Sequence, residues 1–171
     1  MEPRIIIVGG LQGTGKTTIA DELAKKIGVN VYSKDVLEAA IVRSGLAQPD
    51  NLKGTGFELL KTLALSSYEL SHTSILDCVA PAHRVSLYWP ELMNFPIKYI
   101  ECICSDEQLH KTRIEKRKRN IVGWYELTWD DVLQTKKHYL PFRESRLVLD
   151  SVESLNANVQ KALTYVHTEC M

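Results

Sequence analysis

At 171 residues, with Lys plus Arg and Asp plus Glu both at 21, the chain carries no formal net charge. That balance argues against a dedicated nucleic-acid coat, although a local basic cluster is still compatible with it. An apolar share of 44% and a charged share of 25% are ordinary for a soluble globular protein, and no apolar stretch approaches membrane-spanning length.

The first element is the β-branched run Arg4-Ile5-Ile6-Ile7-Val8, the pattern of a strand buried on both faces. It leads into Gly9-Gly10-Leu11-Gln12-Gly13-Thr14-Gly15-Lys16-Thr17-Thr18. From Gly10 to Thr17 this spells G-x-x-x-x-G-K-T, the phosphate-binding P-loop. Gly10, Gly13 and Gly15 let successive backbone N–H groups curl around one anion, and the following helix adds the positive end of its dipole. Thr14 and Thr18 complete the nucleotide-binding stretch. Lys16 can reach the β- and γ-phosphates of ATP, and the Thr17 hydroxyl can ligate the accompanying Mg²⁺.

A helix is expected over 16–27, with Ile19, Leu23 and Ile27 on one stripe and Gly28 as its stop. A second strand over 29–32 turns through Ser33-Lys34-Asp35 into a helix ending near Ser44 and Gly45. A polar loop over 47–56 precedes a helix over 57–71, and Ser74-Ile75-Leu76-Asp77 reads as the third strand. A helix over 83–93 is expected to break or kink around Pro90. Residues 97–104 form the fourth strand, and Ser105-Asp106 caps a charged helix running to about Arg119. A loop holding Gly123 and Trp124 leads to Thr128-Trp129-Asp130-Asp131, which has capping-box spacing and starts a helix to about Tyr139. The fifth strand covers 146–149, and the closing helix buries Leu155, Val159, Leu163 and Val166. The reading is one α/β domain over 1–171 with a parallel sheet and a short lid over about 113–128.

Ligands of such sheets sit at the carboxyl ends of the strands, where the P-loop, Asp35, Asp77 and Asp150 all fall. Asp77 fits a Walker B aspartate that helps hold Mg²⁺, or an ordinary turn residue. Asp35 fits a general base for an acceptor hydroxyl, or a cap, since Asp35-x-x-Glu38 has capping-box spacing. In Arg113-Ile114-Glu115-Lys116-Arg117-Lys118-Arg119, Arg113 and Arg117 fall on one helix face and could close on a triphosphate. A solvated face or a nucleic-acid footprint are the competing readings, and Lys118 and Arg119 are expected at the surface. Arg84 binds the acceptor or is merely exposed. Trp89, Trp124 and Trp129 read as packing residues, and Asp150-Ser151 lies near the purine or caps a helix. Cys78, Cys102, Cys104 and Cys170 lack C-x-x-C spacing and read as free thiols in a reducing cytosol. With no signal peptide at the N-terminus, a cytoplasmic protein is expected.

These motifs together resemble the small P-loop kinases of the nucleoside monophosphate kinase fold. The likeness is to the branch of chloramphenicol phosphotransferase, zeta-toxin-like kinases and the kinase domain of phage polynucleotide kinase. It is carried by G-G-L-Q-G-T-G-K-T-T, S-K-D-V-L, S-I-L-D and R-I-E-K-R. The resemblance implies strand order 2-3-1-4-5, ATP with Mg²⁺, Asp35 as base and Arg113 with Arg117 as lid arginines. Several of those relatives carry an arginine three residues after the base. Glu38 stands there instead, which weighs against a phosphate-bearing or nucleic-acid acceptor. The expected activity is γ-phosphoryl transfer to a hydroxyl of a small molecule. A nucleoside, nucleotide or polynucleotide end kinase is the enzymatic alternative, and a nucleotide-dependent regulatory ATP-binding protein the other. Against a GTPase switch, the chain has no N-K-x-D signature and no D-x-x-G after strand three.

Overall fold

The computed structural model describes residues 2–142 and 145–168. Strands β1 (Ile5–Gly9), β2 (Asn30–Ser33), β3 (Ser74–Asp77), β4 (Ile97–Ile103) and β5 (Arg146–Asp150) form one parallel sheet in the order β2-β3-β1-β4-β5. This is the strand order implied by the resemblance. All residues of β1 are buried, as its uninterrupted apolar run requires. Its register aligns Val8 with Asp77 on one side and Gly9 with Glu101 on the other. Ser33 pairs with Asp77 in turn, so the ends of β1, β2 and β3 share one edge.

Helices α1 (Lys16–Ile27), α2 (Lys34–Arg43), α3 (Thr55–Glu69), α4 (Ala82–Tyr88), α5 (Glu107–Lys116), α6 (Trp129–His138) and α7 (Leu155–His167) complete the chain. Alternation along β1 divides the core into two layers. Ile6 and Val8 pack with Ile19 and Leu23 of α1 and Val159 and Val166 of α7. Ile5 and Ile7 pack with Phe57 and Leu60 of α3, Trp89 and Phe142. Trp89 is fully buried, and its indole N–H donates to the Phe57 carbonyl at 2.8 Å, so it is a packing residue as expected.

Gly28 closes α1 in the left-handed conformation at φ 71°, and the Thr128–Asp131 capping box opens α6. The Asp106 carboxylate caps α5 by accepting from the Leu109 N–H at 2.9 Å. The helix expected to kink at Pro90 ends at Tyr88, and a 3-10 turn over Pro90–Asn94 follows. Four details depart from the expectation, the first being that Leu155, at the start of α7, is 45% exposed rather than buried. A 3-10 turn, Pro49–Asn51, interrupts the polar loop, and α3 starts at Thr55 with Gly56 inside it. A Cβ on Gly56 would overlap the Glu38 carboxylate, which would have to shift. The helix α5 stops at Lys116, three residues short of the expected end, because Arg117 takes an extended backbone at φ −74° and ψ 134°. Among the described residues no helix is long and apolar enough to cross a membrane.

Candidate active site

The loop between β1 and α1 is a compact concavity. Gly10, Gly13 and Gly15 hold φ of 132°, 79° and 89°, a region that L side chains rarely enter. A Cβ on Gly10 would overlap the Cys102 carbonyl oxygen, and one on Gly13 would come within 2.6 Å of Ile114 Cδ1. The loop is therefore pressed against β4 and α5 as well as being bent. Thr14 is buried and donates to the Leu11 carbonyl at 2.8 Å. Lys16 is almost buried, and its ammonium donates to the same carbonyl at 2.8 Å, across the concavity. An ammonium held by a loop carbonyl can exchange that contact for phosphate oxygens.

The Thr17 hydroxyl donates to Asp77 Oδ2 at 2.8 Å, which brings the two expected metal-linked residues together. Burial pushes the Asp77 carboxyl above its ordinary value, opposed by the charge of Lys16 and the Thr17 hydrogen bond. Among the described residues no group of three or more His, Cys, Asp or Glu is placed to hold a metal. A cation at Thr17 and Asp77 would need phosphate oxygens and water to complete its shell, which suits Mg²⁺ better than a caged metal.

Three cavities line the carboxyl edge of the sheet in sequence. The first cavity, about 530 Å³, is bordered by the P-loop, Thr17, Thr18, Arg113, Arg117 and the Leu149–Leu155 region. A central one of about 370 Å³ is bordered by Lys16, Thr17, Asp35, Asp77, Arg117 and Arg119. The third, about 320 Å³, lies between Asp35, Phe57, Arg84, Arg119 and Tyr139. Thr17 and Arg117 border the first two, whereas Asp35 and Arg119 border the last two.

Several expected placements need correction. Asp35 does not cap α2. Ser33 holds the N-cap position without a side-chain cap bond, and Glu38 is ion-paired with Lys34 at 2.6 Å. The Asp35 carboxylate therefore faces the cavities. Arg113 and Arg117 do not share a helix face, because the helix ends between them. Arg113 donates to the Ser151 hydroxyl at 2.6 Å and the Ser151 carbonyl at 2.9 Å, at the far end of the first cavity. Asp150 caps no helix: it accepts from the Val152 N–H in its own turn and from the Ser105 N–H in the loop after β4.

Arg119, expected at the surface, is the residue that sequence reasoning missed. Its side chain is only 6% exposed, and its guanidinium donates to Asp35 Oδ2 at 2.7 Å and to the Tyr125 carbonyl. Glu126 accepts from its backbone N–H at 3.0 Å. The extended backbone after Lys116 turns it inward, and nothing in a run of alternating basic residues marks that break. The segment expected as a lid is held on its other side by Arg43, which donates to the Val122 carbonyl at 2.6 Å.

A P-loop followed by α1, with an aspartate closing β3 and a five-stranded parallel sheet, defines a P-loop α/β protein of kinase-like fold. Residues 5–136 match the AAA domain family (AAA_33), and the chain belongs to that family. It is 28% identical over 123 residues to the gluconokinase of Gluconobacter oxydans (strain 621H), covering 68% of this chain and 67% of that protein. Its fold is shared with a sugar kinase from Janibacter sp. HTCC2649 at TM-score 0.71 and 22% identity, over 96% of this chain and 94% of the other. A gluconokinase from Sinorhizobium meliloti 1021 superimposes at TM-score 0.67 and 18% identity, over 96% and 91%.

Proposed function

We propose that this protein is an ATP-dependent kinase that transfers the γ-phosphoryl group to a hydroxyl of a small molecule, with Asp35 as general base. The observation that carries this reading is the row of three cavities with Asp35 on the wall between the second and third. A purely hydrolytic or regulatory nucleotide site has no need of a second, built cavity beyond its carboxylate. Membership of the AAA domain family and the likeness to gluconokinases and a sugar kinase support the same reading. So do the motifs resembling the chloramphenicol phosphotransferase and zeta-toxin branch, in which the aspartate after strand two is the base.

The roles follow from position. The P-loop N–H groups and Lys16 would hold the β- and γ-phosphates, and Arg113 with Ser151 would border the base end of the nucleotide. Thr17 and Asp77 would hold Mg²⁺, which neutralises phosphate charge when bound. The acceptor hydroxyl sits at Asp35, which takes its proton as the oxygen bonds to the γ-phosphorus. The bond from that phosphorus to the β–γ bridging oxygen breaks, and ADP leaves with the electron pair. Arg119 occupies Asp35 Oδ2, and no hydrogen bond among the described residues reaches Oδ1, which is left for the acceptor. Arg117, on the wall shared by the first and central cavities, would face the charge on the transferring group.

The test is acceptor-dependent ADP release across a panel of hydroxyl compounds. Asp35→Asn should keep binding of a non-hydrolysable ATP analogue while transfer drops by ~10²-fold or more, the scale of a general base. Unchanged turnover in Asp35→Asn would refute the assignment.

A further inference from the structure

The acceptor-side cavity holds a charge arrangement that the transfer chemistry does not use. Lys34, Lys53, Arg84 and Arg119 line it, against only Asp35 and Glu38 as carboxylates. Two of the cations are matched internally. Lys34 Nζ lies 2.6 Å from Glu38, and Arg119 lies 2.7 Å from Asp35. Among the described residues, Lys53 and Arg84 have no carboxylate partner. Two positive charges therefore border a cavity whose own acids are already engaged.

Both side chains are exposed, and that of Arg84 is packed against an aromatic ring. The Arg84 guanidinium stands 5.9 Å from the centre of the Tyr88 ring, with Nη1 3.4 Å from the Tyr88 hydroxyl. Tyr88 in turn stacks on Phe57 at 5.2 Å and 11° between planes, and the Lys34 ammonium lies 5.3 Å from the Phe57 ring. This column of two rings between two cations sets Arg84 against the cavity wall. Gly54 makes room for it, because a Cβ there would overlap the Tyr88 ring. Lys53, the residue just before, holds a left-handed backbone at φ 49°, which lysine seldom adopts. Such an outlier is a reason to look for a function that holds it.

We infer that the acceptor is an anion as well as an alcohol. It is a small hydroxy compound bearing a carboxylate or a phosphate, with its hydroxyl at Asp35 and its charged group at Lys53 and Arg84. The inference rests on the kinase reading above and names its substrate class. It also reverses an argument from the sequence. Glu38 in place of an arginine weighs against a charged acceptor only while Glu38 is free. Here Lys34 neutralises it, and the cations come from the loop before α3 and from α4.

The experiment uses the whole chain with a non-hydrolysable ATP analogue bound. Calorimetry measures binding of matched compounds on one carbon skeleton: sorbitol, gluconate and sorbitol 6-phosphate, then glycerol, glycerate and glycerol 3-phosphate. At least one anion should bind ~10-fold or more tighter than its neutral polyol, the scale of one good charge-assisted contact. Which anion it is separates a carboxylate acceptor from a phosphate one. Arg84→Gln and Lys53→Gln should each weaken that anion by about 10-fold while leaving the neutral polyol unaffected, and Arg84→Lys should recover part of the loss. In turnover assays the same variants should raise KM with little change in kcat. Equal binding of neutral and anionic compounds, binding of no anion, or a preference that survives both Gln variants overturns the inference. Failure of the kinase reading would look different: no binding of the ATP analogue, or full turnover in Asp35→Asn.

Discussion

Removing the Arg119 charge tests how the lid and the proposed base act together. The guanidinium meets Asp35 Oδ2 at 2.7 Å, with the arginine side chain 6% and the aspartate side chain 42% exposed. Coulomb's law across that separation gives about 1.5 kcal/mol at the permittivity of water, and several times more at the permittivity of a buried site. The exposure of Asp35 keeps solvent screening strong, so the lower figure is the appropriate one. A cycle of Arg119→Gln, Asp35→Asn and the double variant, followed by urea denaturation, should give a coupling of about 1.5 kcal/mol. Tyr125 and Glu126 also contact Arg119, so the single variant alone should lose more than the coupling. In turnover, Arg119→Gln should cost about 10-fold, the rate equivalent of the same energy. In the Asp35→Asn background it should cost less than ~3-fold, because a positioning residue has nothing left to position. Additive losses in both readouts would refute the claim that Arg119 acts through Asp35.

Gly10→Ala places a Cβ against the Cys102 carbonyl of β4 at a φ of 132°, and a strand backbone has no room to yield. Nucleotide affinity should fall by ~100-fold or more and the melting temperature by about 5 °C or more, from at least 2 kcal/mol of strain. Fluorescent nucleotide titration and thermal unfolding check both. His110 donates from Nε2 to the Gln12 carbonyl at 2.6 Å, and burial holds its imidazole below the ordinary 6.5. The folded state therefore binds the proton less well than the unfolded chain. Its contribution is complete above pH 6.5 and is lost as pH falls through the lower folded value. Denaturation midpoints of the wild type should decline across that window, and His110→Asn should flatten the decline. Burial pushes the Cys102 thiol up to about 12 and that of Cys78 higher still. Both should resist iodoacetamide in the native protein at pH ~8, while the partly exposed Cys104 reacts, as peptide mapping would show. Cys170 lies outside the described residues.

The donor half was legible in the sequence because its signals are local. An apolar run, three glycines at fixed spacing and a Lys-Thr pair determine a strand, a loop and a helix start without help from elsewhere. Asp77 could be placed because it directly follows the short apolar pair Ile75-Leu76. The acceptor half was poorly legible because its contacts are long-range. Arg119 and Asp35 are 84 positions apart, and the end of α5 that joins them falls within a run lacking apolar periodicity. Asp35 was open to a capping reading because Glu38 stands three residues on. Only the structure shows that Glu38 serves Lys34 and packs against Gly56. The ring column that seats Arg84 joins residues from three helices, and no spacing rule connects them.

The sheet also acts as a partition between two supports. The cavity proposed for the donor rests on the layer built by α1 and α7, through Ile19 and Leu149, whereas the one proposed for the acceptor rests on the layer of α3 and its neighbours, through Phe57. The strands lie between the two layers, and the side chains of β1 alternate between them. On the proposed reading, exchanging the stretch from the loop before α3 through α4 would alter the acceptor side, while Ile19 and Leu149 beneath the donor side belong to the other layer. The fold separates what must stay constant from what is free to diverge, and the boundary runs along β1.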